Sequence, residues 1–271
     1  MNPPNFIARH ALALFFVVSL GFSALMAFVA HSSDQEALSL LIPLSPSLIA
    51  IGVTALAFGR DGLRSMLKGK FLAGLNLRWT LVALLLIPFL ATVAVWIHSW
   101  LGGPPLALRT TQLLPQVIVI LLISLGEEFG WRGFALPRLQ ARFSALNASL
   151  VLGVIWGFWH FPGFLIGTGV PLDLPFTVFL LWTVLATILM TWVYNNTGGS
   201  ILSAVLFHSA ANATFNYLPL LPEWAGQGTT FHVFLGLLLG GVVGVVARSA
   251  AQRLVRCAGR DNRRQQRGHH G

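Results

Sequence analysis

The sequence predicts an all-α fold: a polytopic integral membrane protein with about eight transmembrane helices around an intramembrane polar cavity. Three observations lead there. Only 9% of the 271 residues are Asp, Glu, Lys or Arg and 55% are hydrophobic, whereas a soluble domain carries about 25% charged residues. Apolar runs long enough to cross a bilayer recur along the chain. The basic residues also fall into alternate connecting segments. The same arithmetic excludes a disordered chain and a disulfide scaffold, because the single cysteine, Cys257, has no partner.

A bilayer core takes roughly 20 apolar residues per helix. That length picks out eight spans, at about 11–30, 37–58, 79–101, 113–135, 147–166, 174–194, 198–218 and 230–247. Gly, Pro and Asn punctuate most boundaries: Gly102-Gly103-Pro104-Pro105, Pro171, Pro175, Asn195-Asn196 and Pro219. The second span is the weakest, because Pro43 and Pro46 lie inside it. The first is too long for the apolar part of a signal peptide and reads as an uncleaved anchor. No alternating pattern of about ten residues competes in favour of a barrel. Residues 1–247 form one membrane-embedded helical domain, with its core at about 113–217. Residues 248–271 are a basic tail, read as disordered. In the last span Gly236, Gly240 and Gly244 form a small-residue ridge suited to close helix packing.

Lys and Arg set the orientation. With the N-terminus inside, the inner segments hold Arg9, then Arg60, Arg64, Lys68, Lys70 and Arg78, then Arg138 and Arg142, then the seven arginines from Arg248 onward. These are fifteen of the 17 basic residues. Arg109 alone falls outside, with Asp34, Glu36, Asp173 and Glu223. Both termini are therefore expected in the cytoplasm, and the net charge of +9 reports topology. Its partners are the lipid bilayer and anionic headgroups; no nucleic acid is expected.

Ionisable groups inside a span cost about 2.5–3.5 kcal/mol or more each. Glu127, Glu128 and Arg132 lie in the fourth span, His160 in the fifth, His208 and Asn212 in the seventh. At 1.5 Å per residue, Glu127, His160 and His208 each sit within roughly 5 Å of the midplane. Exposed to lipid they would together cost about 8–10 kcal/mol, comparable to a domain's whole stability. They are expected to face one another around a wet pocket. Glu128 and Arg132 are four residues apart, the spacing of a helical ion pair, whereas Glu127 points about 100° away and has no basic partner. Glu128–Arg132 thus reads as support and Glu127 as the free carboxylate, available for proton transfer. His208 and Asn212 share a face and suit hydrogen bonding to an oxyanion. His160 follows Trp156 by one turn, which places its ring on an aromatic wall. Trp131, Trp156, Trp159 and Asn216 read as packing or interface residues.

These residues carry a resemblance. Glu127-Glu128-Phe-Gly-Trp-Arg132 resembles the Glu-Glu-x-x-x-Arg motif of the CPBP family, the CAAX proteases and bacteriocin-processing enzymes also called Abi. Trp156-Gly-Phe-Trp-His160 is similar to its aromatic-x-x-x-His motif, with Trp where Phe is common. His208-Ser-Ala-Ala-Asn212 is similar to its His-x-x-x-Asn motif. The motifs stand in the family's order on separate spans, between about 113 and 217.

The resemblance implies an intramembrane endopeptidase. Glu127 and His160 would activate a water, His208 and Asn212 would bind the oxyanion, and Glu128 and Arg132 would organise the site. The substrate would be a peptide or membrane protein, and the location the bacterial cytoplasmic membrane. No cofactor is required by this chemistry. A divalent metal such as zinc, held by Glu127, His160 and His208, is the alternative, although the chain has no His-Glu-x-x-His. The rival readings are a non-catalytic immunity or scaffold protein and a proton-coupled transporter. An inverted repeat would favour the transporter, and none is evident.

Overall fold

The computed structural model describes residues 6–33, 38, 41–68, 71, 74–109, 113–167, 169–226 and 228–268, with backbone alone for 67, 68 and 251–268. Among them there is helix and no strand. The helices are α1 (Phe6–Ser32), α2 (Ser45–Lys68), α3 (Leu77–Trp100), α4 (Leu113–Glu128), a π-helical turn (Phe129–Ala135), α5 (Leu136–Gln140), α6 (Ala145–Ile166), α7 (Phe176–Asn196), α8 (Ile201–Tyr217), α9 (Pro222–Ala225) and α10 (Thr229–Gly268).

Six of the eight expected spans are long and apolar enough to cross a membrane: α1, α3, the continuous run Leu113–Gln140, α6, α7 and Thr229–Ala250 of α10. The other two differ for physical reasons. The second starts at Ser45 rather than 37, with Pro46 in its first turn, where a missing N–H costs nothing. It then breaks at Gly59, whose φ of 61° and ψ of −157° suit glycine alone. The apolar part before the break is about 21 Å long, and Arg60 and Arg64 begin beyond it. The seventh, α8, has 17 residues, about 26 Å. It packs against α3, α4 and α7, so protein covers it. That cover lets it carry His208, Ser203, Ser209 and Thr214 in buried positions.

Local chemistry sets the helix ends. Asn76, Ser144 and Ser200 cap α3, α6 and α8 by accepting from the backbone N–H three residues on. Gly167 ends α6 in the left-handed region at φ 78°. The core runs through α7, whose apolar window is 61% buried against 22% for α1. Val17, Leu25 and Phe28 of α1 and Leu85 and Phe89 of α3 are exposed on the outside, as a lipid-facing surface requires. Trp96 and Trp100 stand exposed near the end of α3, where interfacial aromatics concentrate.

Two expectations change. The Gly236, Gly240 and Gly244 ridge meets nothing within 4 Å of where a Cβ would stand. It faces away from the bundle and packs no helix of this chain among the described residues. The last helix also continues past Arg248 to Gly268, where a disordered tail was the expectation. No Gly or Pro interrupts 245–258, and Ala, Arg, Gln and Leu there favour helix.

The helix directions divide the charges. Leu202 donates its N–H to the Phe71 carbonyl and Arg138 lies 5.4 Å from the Phe58 ring, so residues 58–68, 71, 74–78, 136–145 and 195–203 share one end. Arg60, Arg64, Arg78, Arg138 and Arg142 belong to it. At the other end Arg109 donates its N–H to the Tyr217 carbonyl, and His98 bonds Thr230 at 2.7 Å. Asp173, in a loop, and Glu223, in α9, lie at that end. Asp34, Glu36 and Lys70 fall outside the described residues. The bundle crosses the bilayer several times, so this is a multi-pass membrane protein.

The α6–α7 contact depends on Gly153, where a Cβ would stand 2.7 Å from Val184 Cα and 3.2 Å from the Thr183 carbonyl oxygen. Both neighbours are backbone and cannot swing aside. Gly153→Ala should lower the thermal midpoint in detergent, by an overpacking cost of about 1–3 kcal/mol. An unchanged midpoint would show that α6 and α7 separate freely.

Candidate active site

Glu127 and Glu128 close α4, and the helix widens immediately after them. Leu136 donates its N–H to the Trp131 carbonyl, five residues back, the spacing of a π-helix. Pro137 supplies a cause: without an N–H it cannot complete an α-register bond to Gly133. The wide turn sets Trp131 and Phe134 against Phe15 of α1, with ring centroids 5.3 and 5.1 Å away. Gly130 lets the start of α2 lie close, since a Cβ there would be 2.5 Å from the Pro46 carbonyl carbon.

The four-residue spacing brings Glu128 and Arg132 together. Arg132 Nη1 donates to Glu128 Oε1 at 2.8 Å, with both side chains fully buried. The same oxygen receives His208 Nδ1 at 2.8 Å from α8. Arg132 Nη2 reaches Thr187 Oγ1 of α7 at 3.4 Å, and its guanidinium lies 5.2 Å from the Trp156 ring centroid on α6. One carboxylate and one guanidinium therefore join the π-helical turn to four helices, α4, α6, α7 and α8.

Glu127 has different company. Trp156 Nε1 donates to its Oε2 at 2.9 Å, and no Lys or Arg among the described residues bonds it. Its side chain lines a cavity of about 450 Å³, as do those of His160, His208 and Asn212. Three helices thus deliver the expected polar set to one space. His160 donates from Nδ1 to the Trp156 carbonyl at 2.9 Å. A carbonyl only accepts, so Nδ1 carries the proton and Nε2 of the neutral ring keeps its lone pair. Edge-on aromatic contacts hold that ring: Trp156 at 5.4 Å, Trp159 at 4.8 Å and Phe179 at 5.1 Å. His208 stands edge-on to Trp156 at 5.3 Å. Asn216 is exposed, donates to the Asn212 carbonyl at 2.8 Å, and lines the same cavity.

The alternative metal set fares differently. Among the described residues no three His, Cys, Asp or Glu side chains gather into a metal-binding group. The Nδ1 bonds of His208 to Glu128 and of His160 to a backbone carbonyl, and the indole N–H on Glu127, leave the second nitrogen of each ring and one carboxylate oxygen open, but the three side chains do not come together closely enough to share an ion. As placed, Glu127, His160 and His208 do not fit a shared ion.

Sequence reasoning missed four features. Trp156, read as packing, is the hydrogen-bond partner of Glu127. His208 joins Glu128 as well as facing the cavity. Thr187 receives Arg132, and the π-helical turn follows the glutamates. Pro137 four residues after Gly133 was the available signal for the last. The others are contacts between separate helices, which spacing along one helix does not encode.

Arg132→Ala would leave Glu128 with His208 alone in a dry interior. Removing one partner of a buried ion pair costs about 3–5 kcal/mol, so this variant should accumulate poorly and melt early in detergent. The double variant Glu128→Gln, Arg132→Ala should recover part of the loss. Normal melting of the single variant would show that the pair does not support the fold.

Known proteins resemble the chain in this region. The family model described as type II CAAX prenyl endopeptidase Rce1-like matches residues 109–214, the stretch from the start of α4 through Asn212. A "CAAX prenyl protease 2" from Methanococcus maripaludis is 27% identical over 217 residues, covering 73% of this chain and 79% of that protein. The three motifs, the membrane helices and these matches agree: over this region the chain is similar to the type II CAAX prenyl endopeptidases, which supports reading it as an intramembrane protease.

Proposed function

We propose that this protein hydrolyses a peptide bond within the membrane with a water held between Glu127 and His160. The observation that carries the reading is the division of labour between adjacent glutamates. Glu128 is bound by Arg132 and His208, while Glu127 faces the cavity with only an indole N–H.

Glu127 takes a proton from the water as its oxygen attacks the carbonyl carbon. His160 Nε2 accepts the water's other hydrogen as a hydrogen bond and sets its direction. The carbonyl oxygen becomes an oxyanion, held by the Asn212 amide and by His208 Nε2–H. His208 already donates from Nδ1 to Glu128, so donation from Nε2 requires the imidazolium, whose charge the oxyanion balances as Glu127 takes up its proton. Collapse of the tetrahedral intermediate breaks the C–N bond. The proton on Glu127 goes to the departing amine and the water's other hydrogen stays on the new hydroxyl, leaving a carboxylic acid and an amine as products. Glu128, Arg132 and Thr187 hold His208 in place. Residues 1–247 act as one membrane unit with the protease core at about 113–217. Both termini are cytoplasmic by the arginine distribution, and the setting is the bacterial cytoplasmic membrane. The relatives are named for CAAX prenyl substrates; here the substrate class is a peptide or membrane protein.

Glu127→Gln should abolish hydrolysis in liposomes while leaving a folded protein, because it keeps shape and removes a buried charge. Chelators should leave the wild type active. Equal cleavage of one peptide by wild type and Glu127→Gln would end the glutamate-protease reading.

His208→Ala and Asn212→Ala should each lower kcat by about 10²–10³-fold, the usual loss for one oxyanion donor. A change confined to KM would place both in substrate binding instead.

A further inference from the structure

The cavity is directional. His160 is followed along α6 by Gly163 and Ile166, and then by the Gly169–Pro171 loop, all on the wall. On α8 the wall proceeds from His208 through Asn212 to Asn216, a rise of about 12 Å over eight residues. On α4 it includes Ile120 and Ile123 before Glu127. All three helices are lined from the glutamates toward the end that holds Asp173, Glu223 and Arg109. Toward the other end the neighbours are closed: Trp131, Arg132, Phe134, Leu136 and Ala204 have no exposed surface.

At that mouth the charged wall residue is Glu223, in the first turn of α9 and exposed. Among the described residues neither Lys nor Arg lines the cavity. The nearby Arg109 turns its guanidinium onto the Trp224 ring at 4.2 Å and is not part of the wall. Between the mouth and Glu127 the wall is largely aromatic and aliphatic, with amides at Asn212 and Asn216. Such a passage suits an extended peptide whose apolar residues pass inward and whose charged residue stays at the rim. The rim's own charge is negative.

We propose that the cavity takes its peptide from the membrane face opposite the arginine cluster, and that Glu223 selects substrates bearing a basic residue at the mouth. This rests on the protease reading above. Since basic segments stay in the cytoplasm, the substrate is one presented on the far side: a translocated segment or the outer end of a membrane-spanning peptide.

Two measurements test it. In intact cells, with Cys257→Ser as background, Val170→Cys should react with a membrane-impermeant maleimide and Arg142→Cys only after permeabilisation. The reverse pattern would overturn the sidedness without reference to turnover. In detergent, a series of apolar peptides carrying Lys, Gln or Glu at successive positions should be cleaved by wild type with a Lys-over-Glu preference in kcat/KM of about fivefold, the scale of a partly exposed charge pair. Glu223→Lys should invert the preference, and Glu223→Gln should flatten it. Cleavage that depends on Glu127 but keeps its preference in Glu223→Lys would overturn the Glu223 assignment and leave the protease reading standing. Cleavage indifferent to Glu127 would overturn both.

Discussion

Glu128 is a carboxylate with no exposed surface, in the middle of a bundle that lipid surrounds. An ion there is sustained only by partners the protein itself provides. Arg132 comes from the π-helical turn that continues the same helix, four residues on, a spacing that brings the two side chains together. The second partner, His208, must come from another element, and so α8 is fixed against α4. Thr187 receives the guanidinium's other arm, which fixes α7 as well. The pairing is single-pronged: Glu128 Oε2 and Arg132 Nε are buried without a partner among the described residues. A bidentate pair would hold the ions more tightly, but it would leave less freedom to direct Nη2 to Thr187 and Oε1 to His208. The arrangement gives up some strength in the pair for cross-bracing of three helices.

That brace also explains why α8 is short and polar. A helix facing lipid could not carry His208, Ser209 and Asn212 so close together. Enclosed by α3, α4 and α7, it can. The neighbouring Glu127 lies about a quarter turn away and meets α6 instead, where Trp156 supplies a single neutral donor. Adjacent residues on one helix thus enter unlike surroundings, one saturated with charge and one set beside a cavity. Aromatic edges around His160 and His208 exclude other polar contacts, leaving Nε2 of each ring for whatever occupies the cavity.

The residue types at the site were readable because the bilayer makes polar groups expensive. Glu127, Glu128, Arg132, His160, His208 and Asn212 stand out against apolar runs, and their helical phases separate one glutamate from the other. The Gly, Pro and Asn boundaries were readable for the same reason that caps and breakers are local. Less was legible where the deciding contact is between helices. An indole in an apolar helix looks alike whether it packs or donates, so Trp156 could not be assigned to Glu127. The Gly236–Gly244 ridge looks alike whether or not a helix lies against it. The second span misled because its apolar count ran back through Pro43, whereas the helix starts only at Ser45 with Pro46 in its first turn.

The closed floor and the open mouth belong together. Hydrolysis consumes water, so the site needs a wet path, yet a path through the whole bilayer would leak ions. Beneath Glu127 the fully buried Trp131, Phe134 and Leu136 pack with Phe15 and Ala204, and the π-helical turn aims those rings at α1 and its neighbours. Glu128 and Arg132 sit in this layer as a neutralised pair, so charge appears there without water. Above it the wall carries Asn212 and Asn216 at successive turns of α8, polar enough to wet yet uncharged until the rim. The same short stretch, residues 127–136, therefore supplies the carboxylate that faces the cavity, the brace that holds His208, and the seal that keeps the cavity blind.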